Sequence, residues 1–389
     1  MRAWLTLAAL ALSTFAYVTV ETLPIGLLPQ IAGSLGTSTS AIGLLVTAYG
    51  LVVVLTTVPL TKLAHRWSRR RLLGVLLGVY AVATAASALA PNYGTLLGAR
   101  VTIALSQALF WAIVTPATAG LFPPHLRGRA LSILFAGSTV GPLVGVPAGT
   151  WLGQQAGWRA PFLVLSAIGL VILIVIVSLM PEMRPGHSDT DRGAAPDRGR
   201  YWTLVVVTAL MVTGAFTSFT YITPFLTEVT GFADSAVGLI LLVRGLAGLT
   251  GVITAGFVVV RWGWPSLVIA TAGQTTFLFV LYTFGTTGAA AIVACAGGGF
   301  MLAGLAAVMG ARVLEVAPGA TDLASAGTST AFNVGITSGA LLGSALLTSF
   351  GVRSTALAGA LATVAALLTV LAEPRLATSR RSPEAELTR

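Results

Sequence analysis

Among the 12 acidic residues of this 389-residue chain, Glu21 lies inside a long apolar run. Its neighbours from Val20 to Pro29 are apolar apart from Thr22. A carboxylate at bilayer depth costs roughly 3 kcal/mol or more, so it faces a cavity or a partner. Such a group can gain and lose a proton as its surroundings change, which is the chemistry of ion coupling. Arg100 is the natural counter-charge, about 12 Å along a second apolar run that starts near Asn92, at 1.5 Å per residue. In this reading Arg100 keeps Glu21 ionised until substrate or a change of conformation parts them. Two blander readings stand beside it. Glu21 is wetted at a helix end, which Pro24 and Pro29 favour, or Arg100 locks its helix to backbone carbonyls.

Other chemistries lack their residues. Lys62 is the only lysine, and no G-x-x-x-x-G precedes it, so no nucleotide-binding P-loop is present. Neither G-x-S-x-G nor H-E-x-x-H occurs. Cys295 is the only cysteine, which excludes an internal disulfide or cysteine-based zinc cluster. His65, His125 and His187 fall in polar loops and read as solvated. The chain is therefore expected to be no enzyme and to hold no cofactor or metal.

A second intramembrane cation, Arg244, either meets an anionic substrate group or pairs with Glu228. Tyr17, Gln107, Trp111, Tyr221, Gln274 and Asn333 are polar or aromatic candidates for lining a cavity, and each also fits a helix–helix hydrogen bond or an interfacial anchor. A mostly apolar cavity with few fixed polar groups suits a small amphiphile.

The elements that position these residues are membrane helices. Hydrophobic residues make up 56% and charged residues 9% of the chain, too few charges to cover a water-facing surface. Apolar runs predict helices over 4–30, 41–63, 72–90, 94–118, 129–152, 160–180, 202–227, 236–259, 267–285, 289–312, 326–349 and 354–373. The first is read as retained rather than cleaved. Two halves, 1–180 and 202–375, flank a polar linker at 181–201 whose composition predicts disorder, and 376–389 form a tail.

Charge sets the orientation. The net charge of +10 comes almost wholly from arginine. With the N-terminus cytoplasmic, the outer loops carry only Arg159 and Arg353, and the remaining loop and terminal cations lie inside. The basic residues lack the interleaved aromatics of a nucleic-acid platform, so no nucleic-acid partner is expected. The run Arg69, Arg70 and Arg71 needs little beyond topology, with lipid headgroup contact as an extra.

The halves also repeat. Arg66-Trp67 and Arg261-Trp262 are 195 residues apart (261 − 66), and the same offset aligns Pro29 with Pro224 and Gly36 with Gly231. It further aligns Gly43-Leu44 with Gly238-Leu239 and Gly50-Leu51 with Gly245-Leu246. Parallel six-helix repeats with a site at their interface are a transporter architecture.

At this point the chain resembles the major facilitator superfamily, and within it the drug:proton antiporters of the sugar-efflux and chloramphenicol-efflux type. Leu63, Ala64, Arg66, Arg69 and Arg70 match the superfamily loop pattern G-x-L-a-D-r-x-G-r-R, while Thr61, His65 and Ser68 depart from it. Gly137, Gly141, Pro142 and Gly145 match the antiporter pattern G-x-x-x-G-P-x-x-G-G, with Val146 in place of the last glycine. Gly145 to Gly149 and Gly157 to Phe162 are similar to the efflux subgroup. The resemblance implies twelve helices in two pseudo-symmetric bundles, a gating role for the glycines and Pro142 and Pro147, and control of the inner gate by the arginine loop. Glycines 137, 141, 145 and 149 also recur every four residues and offer one smooth helix face.

The expectation is an all-α membrane protein of major-facilitator type in the cell membrane, both termini cytoplasmic, acting as a monomer. It exports a small amphiphilic compound, such as a drug, sugar or secondary metabolite, in exchange for protons. The alternative is a proton-coupled symporter or facilitator importing a sugar or nucleoside-like solute.

Overall fold

The computed structural model describes residues 2–37, 39–64, 66–183, 193–258 and 262–376, and helices are its only regular elements among them. A helix pairs its backbone groups within its own segment, as a bilayer interior requires. Eleven helices among the described residues are long and apolar enough to cross a membrane. A twelfth, Thr39–Ala64, contains the shorter apolar stretch Ala48–Ala64. In chain order they are α1 (Arg2–Gly26), α2 (Thr39–Ala64), α3 (Arg69–Ala88), α4 (Tyr93–Gly120), α5 (Pro124–Ala156) and α6 (Arg159–Leu179). The second set is α7 (Arg198–Phe219), α8 (Asp234–Val258), α9 (Gly263–Phe284), α10 (Gly288–Val316), α11 (Thr321–Phe350) and α12 (Arg353–Leu376).

The expected pair of six-helix bundles is present. One buried core is drawn from α1 to α6 with Ala326 added, and two more are drawn from α7 to α12 and the chain just after α7. The bundles meet where α5 packs on α8, and where α2 and α4 pack on α11.

The repeat survives as backbone geometry. α1 was expected to run unbroken over 4–30, but it stops at Gly26, and a short helix, Leu28–Leu35, continues it. Pro24 and Pro29 withdraw two backbone donors there, which weakens the ladder. α7 breaks in the same place and resumes as Ile222–Pro224 with a π-turn at Phe225–Val229. Gly36 (φ 61°) and Gly231 (φ 78°) end these extensions, 195 residues apart (231 − 36). Their left-handed backbone is open to glycine at little cost.

Gly157 (φ 84°) and Gly351 (φ 78°) form a second such pair, at the far ends of α5 and α11. Each precedes one of the two arginines assigned to the outer loops. Arg159 donates to the Ala90 carbonyl beyond α3 at 3.1 Å, and Arg353 to the Tyr282 and Thr283 carbonyls of α9 at 2.9 and 3.3 Å. Both guanidinium groups thus satisfy carbonyls at a helix C-terminus, where the helix has no donors left.

The two ends of the linker depart from expectation. Residues 184–192 lie outside the described residues, as do His65, Arg261 and the tail from 377 onward. What flanks 184–192 is docked rather than loose. Met183 accepts from the Arg69 amide at 2.9 Å, while Ala195 and Asp197 donate to the Glu315 and Val316 carbonyls at 2.8 and 3.0 Å. Asp197 also accepts from the Arg200 amide at 3.0 Å, so α7 begins at Arg198 rather than near 202.

α5 carries the glycine series against α1. A methyl group at Gly137 would strike the Ala11 carbonyl and the Thr14 hydroxyl, at Gly145 the Thr19 side chain, and at Gly149 the Leu23 side chain. Thr14 uses the closeness, donating to the Leu134 carbonyl at 2.8 Å. Between them, the helix widens into a π-turn at Gly141–Gly145, where Val146 reaches back to the Gly141 carbonyl. Pro142 and Pro147 lack the amides that would keep an ordinary ladder there.

Gly137→Ala is therefore expected to overpack the α1–α5 seam and lower stability by about 1–3 kcal/mol. Thermal unfolding in detergent measures it, with Gly33→Ala as the control because open space surrounds Gly33. Equal midpoints for the two variants would refute a tight seam.

Candidate functional site

Glu21 lies about 28 Å along α1 from Arg2, at 1.5 Å per residue, on the side of the membrane away from the N-terminus. It is half-buried, and its carboxylate accepts from the Gln107 amide at 2.7 Å. Gln107 in turn accepts from the Tyr49 hydroxyl at 2.6 Å. The three residues form a chain across α1, α4 and α2.

Arg100 does not hold the carboxylate as expected. Its guanidinium donates to the backbone carbonyls of Val20 at 2.5 Å and Glu21 at 2.8 Å, and lies 4.7 Å over the Tyr49 ring. The cause is local sequence. The Val20 carbonyl should accept from the amide four residues on, and that residue is Pro24, which has none. Arg100, fully buried, fills the missing donor. The blander reading, an arginine locked to carbonyls, describes this geometry, and the carboxylate beside it carries no ion pair among the described residues.

The remaining candidates divide. Tyr17 is fully buried, stacked on Phe110 at 4.4 Å and hydrogen-bonded to Ser106 at 2.5 Å, so it is packing within the first bundle rather than cavity lining. Trp111 stacks on Phe135 of α5 at 6.2 Å. Tyr221 sits at the α7 break and donates to the Ala340 carbonyl of α11 at 2.9 Å. Asn333, half-buried, bonds back to Ser329 on its own helix at 2.9 Å.

Arg244 and Gln274 come together in the second bundle. They line one small cavity among α7, α8, α9 and α10, with Phe219, Phe277, Cys295 and Gly298. Arg244 lies 4.1 Å over the Phe219 ring and donates to the Cys295 carbonyl at 3.2 Å. The expected alternative, a pair with Glu228, is not formed. The repeat exposes an exchange of roles. Arg244 is the counterpart of Tyr49 (244 − 49 = 195), and Cys295 is the counterpart of Arg100 (295 − 100 = 195). Each half therefore carries one intramembrane arginine stacked on an aromatic ring, but on non-equivalent helices.

Of the loop residues, Arg66 is exposed and Arg70 donates to the Val177 carbonyl. Arg69 corrects the view that this run needs little beyond topology. It is 2% exposed and pairs with Asp322 at the start of α11 at 3.0 Å, bridging the bundles on the face that carries the N-terminus. It also donates to the Thr321 hydroxyl at 3.3 Å. Asp322 was missed, although an acid in the first turn of a helix is a visible sign of an electrostatic role.

Breaking a buried pair strands a charge, at a cost on the order of 3–5 kcal/mol. Asp322→Asn is expected to loosen this face of the molecule. In a Cys295→Ser background, a cysteine replacing Ser132, which is buried against Gly256 across the bundle interface, should react with a membrane-permeant thiol reagent at least about tenfold faster in the Asp322→Asn variant. An unchanged rate would remove the pair as a latch.

Comparison with known proteins agrees with this architecture. Residues 10–302 match the family model of the Major Facilitator Superfamily. The chain is 36% identical over 374 residues to an uncharacterized MFS-type transporter, YtbD, of Bacillus subtilis (strain 168), covering 93% of each protein. Solved structures with the same fold include the human organic anion transporter MFSD10 (14% identity, TM-score 0.75, covering 95% of this chain and 98% of that one). Another is FucP in an outward conformation (16% identity, TM-score 0.76, covering 98% and 100%). These matches, with the two bundles and their intramembrane charges, place the chain in the Major Facilitator Superfamily, as a multi-pass membrane transporter of small molecules and not an enzyme.

Proposed function

We propose that this transporter exports a small amphiphilic compound in exchange for protons, working as a monomer in the plasma membrane with its termini in the cytoplasm. Glu21 is the proton site. The observation that carries this reading is the set of partners around its carboxylate. A fixed salt bridge would hold the group charged throughout a cycle, whereas the Gln107–Tyr49 chain is a neutral partner. Arg100 stays close by, tied to the carbonyls of Val20 and Glu21, so it influences the carboxylate without capturing it.

The Arg69–Asp322 pair supports alternating access, since it closes the bundles on one face and must open for the cycle to turn. Arginines 66, 69, 70, 71, 127, 129, 198, 200, 312 and 375 gather at helix ends on that face, which supports its assignment to the cytoplasm. Gly137, Gly141, Pro142, Gly145, Pro147 and Gly149 supply the close, bendable contact between α5 and the helix bearing Glu21.

A drug-susceptibility panel in an efflux-deficient host, with chloramphenicol-like compounds included, identifies a substrate. In everted vesicles that substrate is expected to drive proton release. Glu21→Gln should abolish the release while the protein still inserts and runs as a single species on size exclusion. Release at the wild-type level in that variant would sink the proposal. Substrate-induced alkalinisation in right-side-out vesicles would favour import by symport.

A further inference from the structure

Arg244 lies about 15 Å along α8 from Asp234, where the bilayer makes an unaccompanied cation costly. No acid pairs with it among the described residues. The ion pairs among the described residues join Arg69 to Asp322, Arg71 to Glu182, and Arg312 to Glu315 and Glu373. A guanidinium has five N–H donors, and Arg244 commits one interaction to the Cys295 carbonyl and one face to Phe219. The side chain is half-buried and lines the cavity.

A second, independent feature points to the same place. Gln274 is 2% exposed, lines that cavity, and its Oε1 has no hydrogen-bond partner. The unpaired atom is an acceptor, so the amide meets an anion only by turning its NH2 into that position, and no hydrogen bond among the described residues holds it in its present orientation. Gly298 leaves the floor clear. A methyl group there would lie 3.4 Å from Arg244 Nη1 and 3.7 Å from Gln274 Nε2, so the two polar groups converge over the glycine. Phe219 and Phe277 supply apolar walls.

We propose that this cavity binds the carboxylate of the transported compound, which makes the substrate class a small organic monoanion with an apolar or aromatic body. The carboxylate takes charge-assisted hydrogen bonds from Arg244 and one from the Gln274 amide. The apolar body lies against Phe219 and Phe277, which line the same cavity. The site rests on the transport reading above and adds to it the charge of the cargo, with Glu21 serving the proton in the opposite half.

Benzoate is the probe, benzamide its uncharged match, and chloride at equal ionic strength the control for an adventitious ion. Purified full-length protein in detergent is titrated with each while thermal unfolding is followed by tryptophan fluorescence. Benzoate is expected to raise the midpoint saturably in the wild type, and benzamide and chloride are not. Arg244→Gln should weaken half-saturation by about ten- to a hundredfold, the range of one charged hydrogen-bonded contact, with Arg244→Lys in between. If Arg244→Gln does not fold, Gln274→Ala and Gly298→Ala carry the test, and both should weaken benzoate. A benzoate shift matched by benzamide or chloride, or unchanged in the folded variants, overturns the site. Proton release in everted vesicles separates the two readings. Its loss with benzoate binding intact would fell the exchange reading alone, and the converse result would fell the carboxylate site alone.

Discussion

A missing amide at Pro24 organises the first bundle. It leaves the Val20 carbonyl without its helical donor in a medium that offers no water in exchange. Arg100 supplies the donor from α4, at the cost of burying a cation. That cation is made tolerable by the Tyr49 ring beneath it and by the neighbouring carboxylate of Glu21. Tyr49 then orients Gln107, and Gln107 holds Glu21. Proline, arginine, tyrosine, glutamine and glutamate are thus one connected arrangement.

Much of this was legible in the chain. Helix lengths, the even number of crossings and the 195-residue repeat follow from apolar runs and their punctuation. Glu21, Arg100 and Gln107 stand out because charged and amide groups are rare in such runs. The break in α1 was also written there, in Pro24 and Pro29, although the expectation carried the helix straight through. Partner choice was harder to read. Opposite charges at similar depth suggested a pair between Glu21 and Arg100, yet the carbonyl orphaned by Pro24 outbids the carboxylate. The lesson is specific: a proline four residues after a carbonyl names an acceptor in search of a donor.

Contacts between the halves were least legible. Arg69 and Asp322 are far apart in sequence, and their meeting depends on how two separate bundles dock. No periodicity reports that docking. The same holds for the exchange between Arg244 and Tyr49. The repeat aligns the positions, but only the packed bundles show that the cation in each half lies over a ring contributed by a neighbouring helix. Conversely, Tyr17 had the composition of a cavity residue and proved to be packing, because Tyr80, Phe110 and Ser106 enclose it.

The glycine series of α5 has a structural consequence. On one side α5 is fitted against α1, the helix that bears Glu21, and on the other it meets α8, the helix that bears Arg244, through Gly245 on Leu143 and Gly256 on Ser132. α5 is thus in close contact with both charged helices at once, and its π-turn at Gly141–Gly145 interrupts the regular helical ladder within the span that touches them.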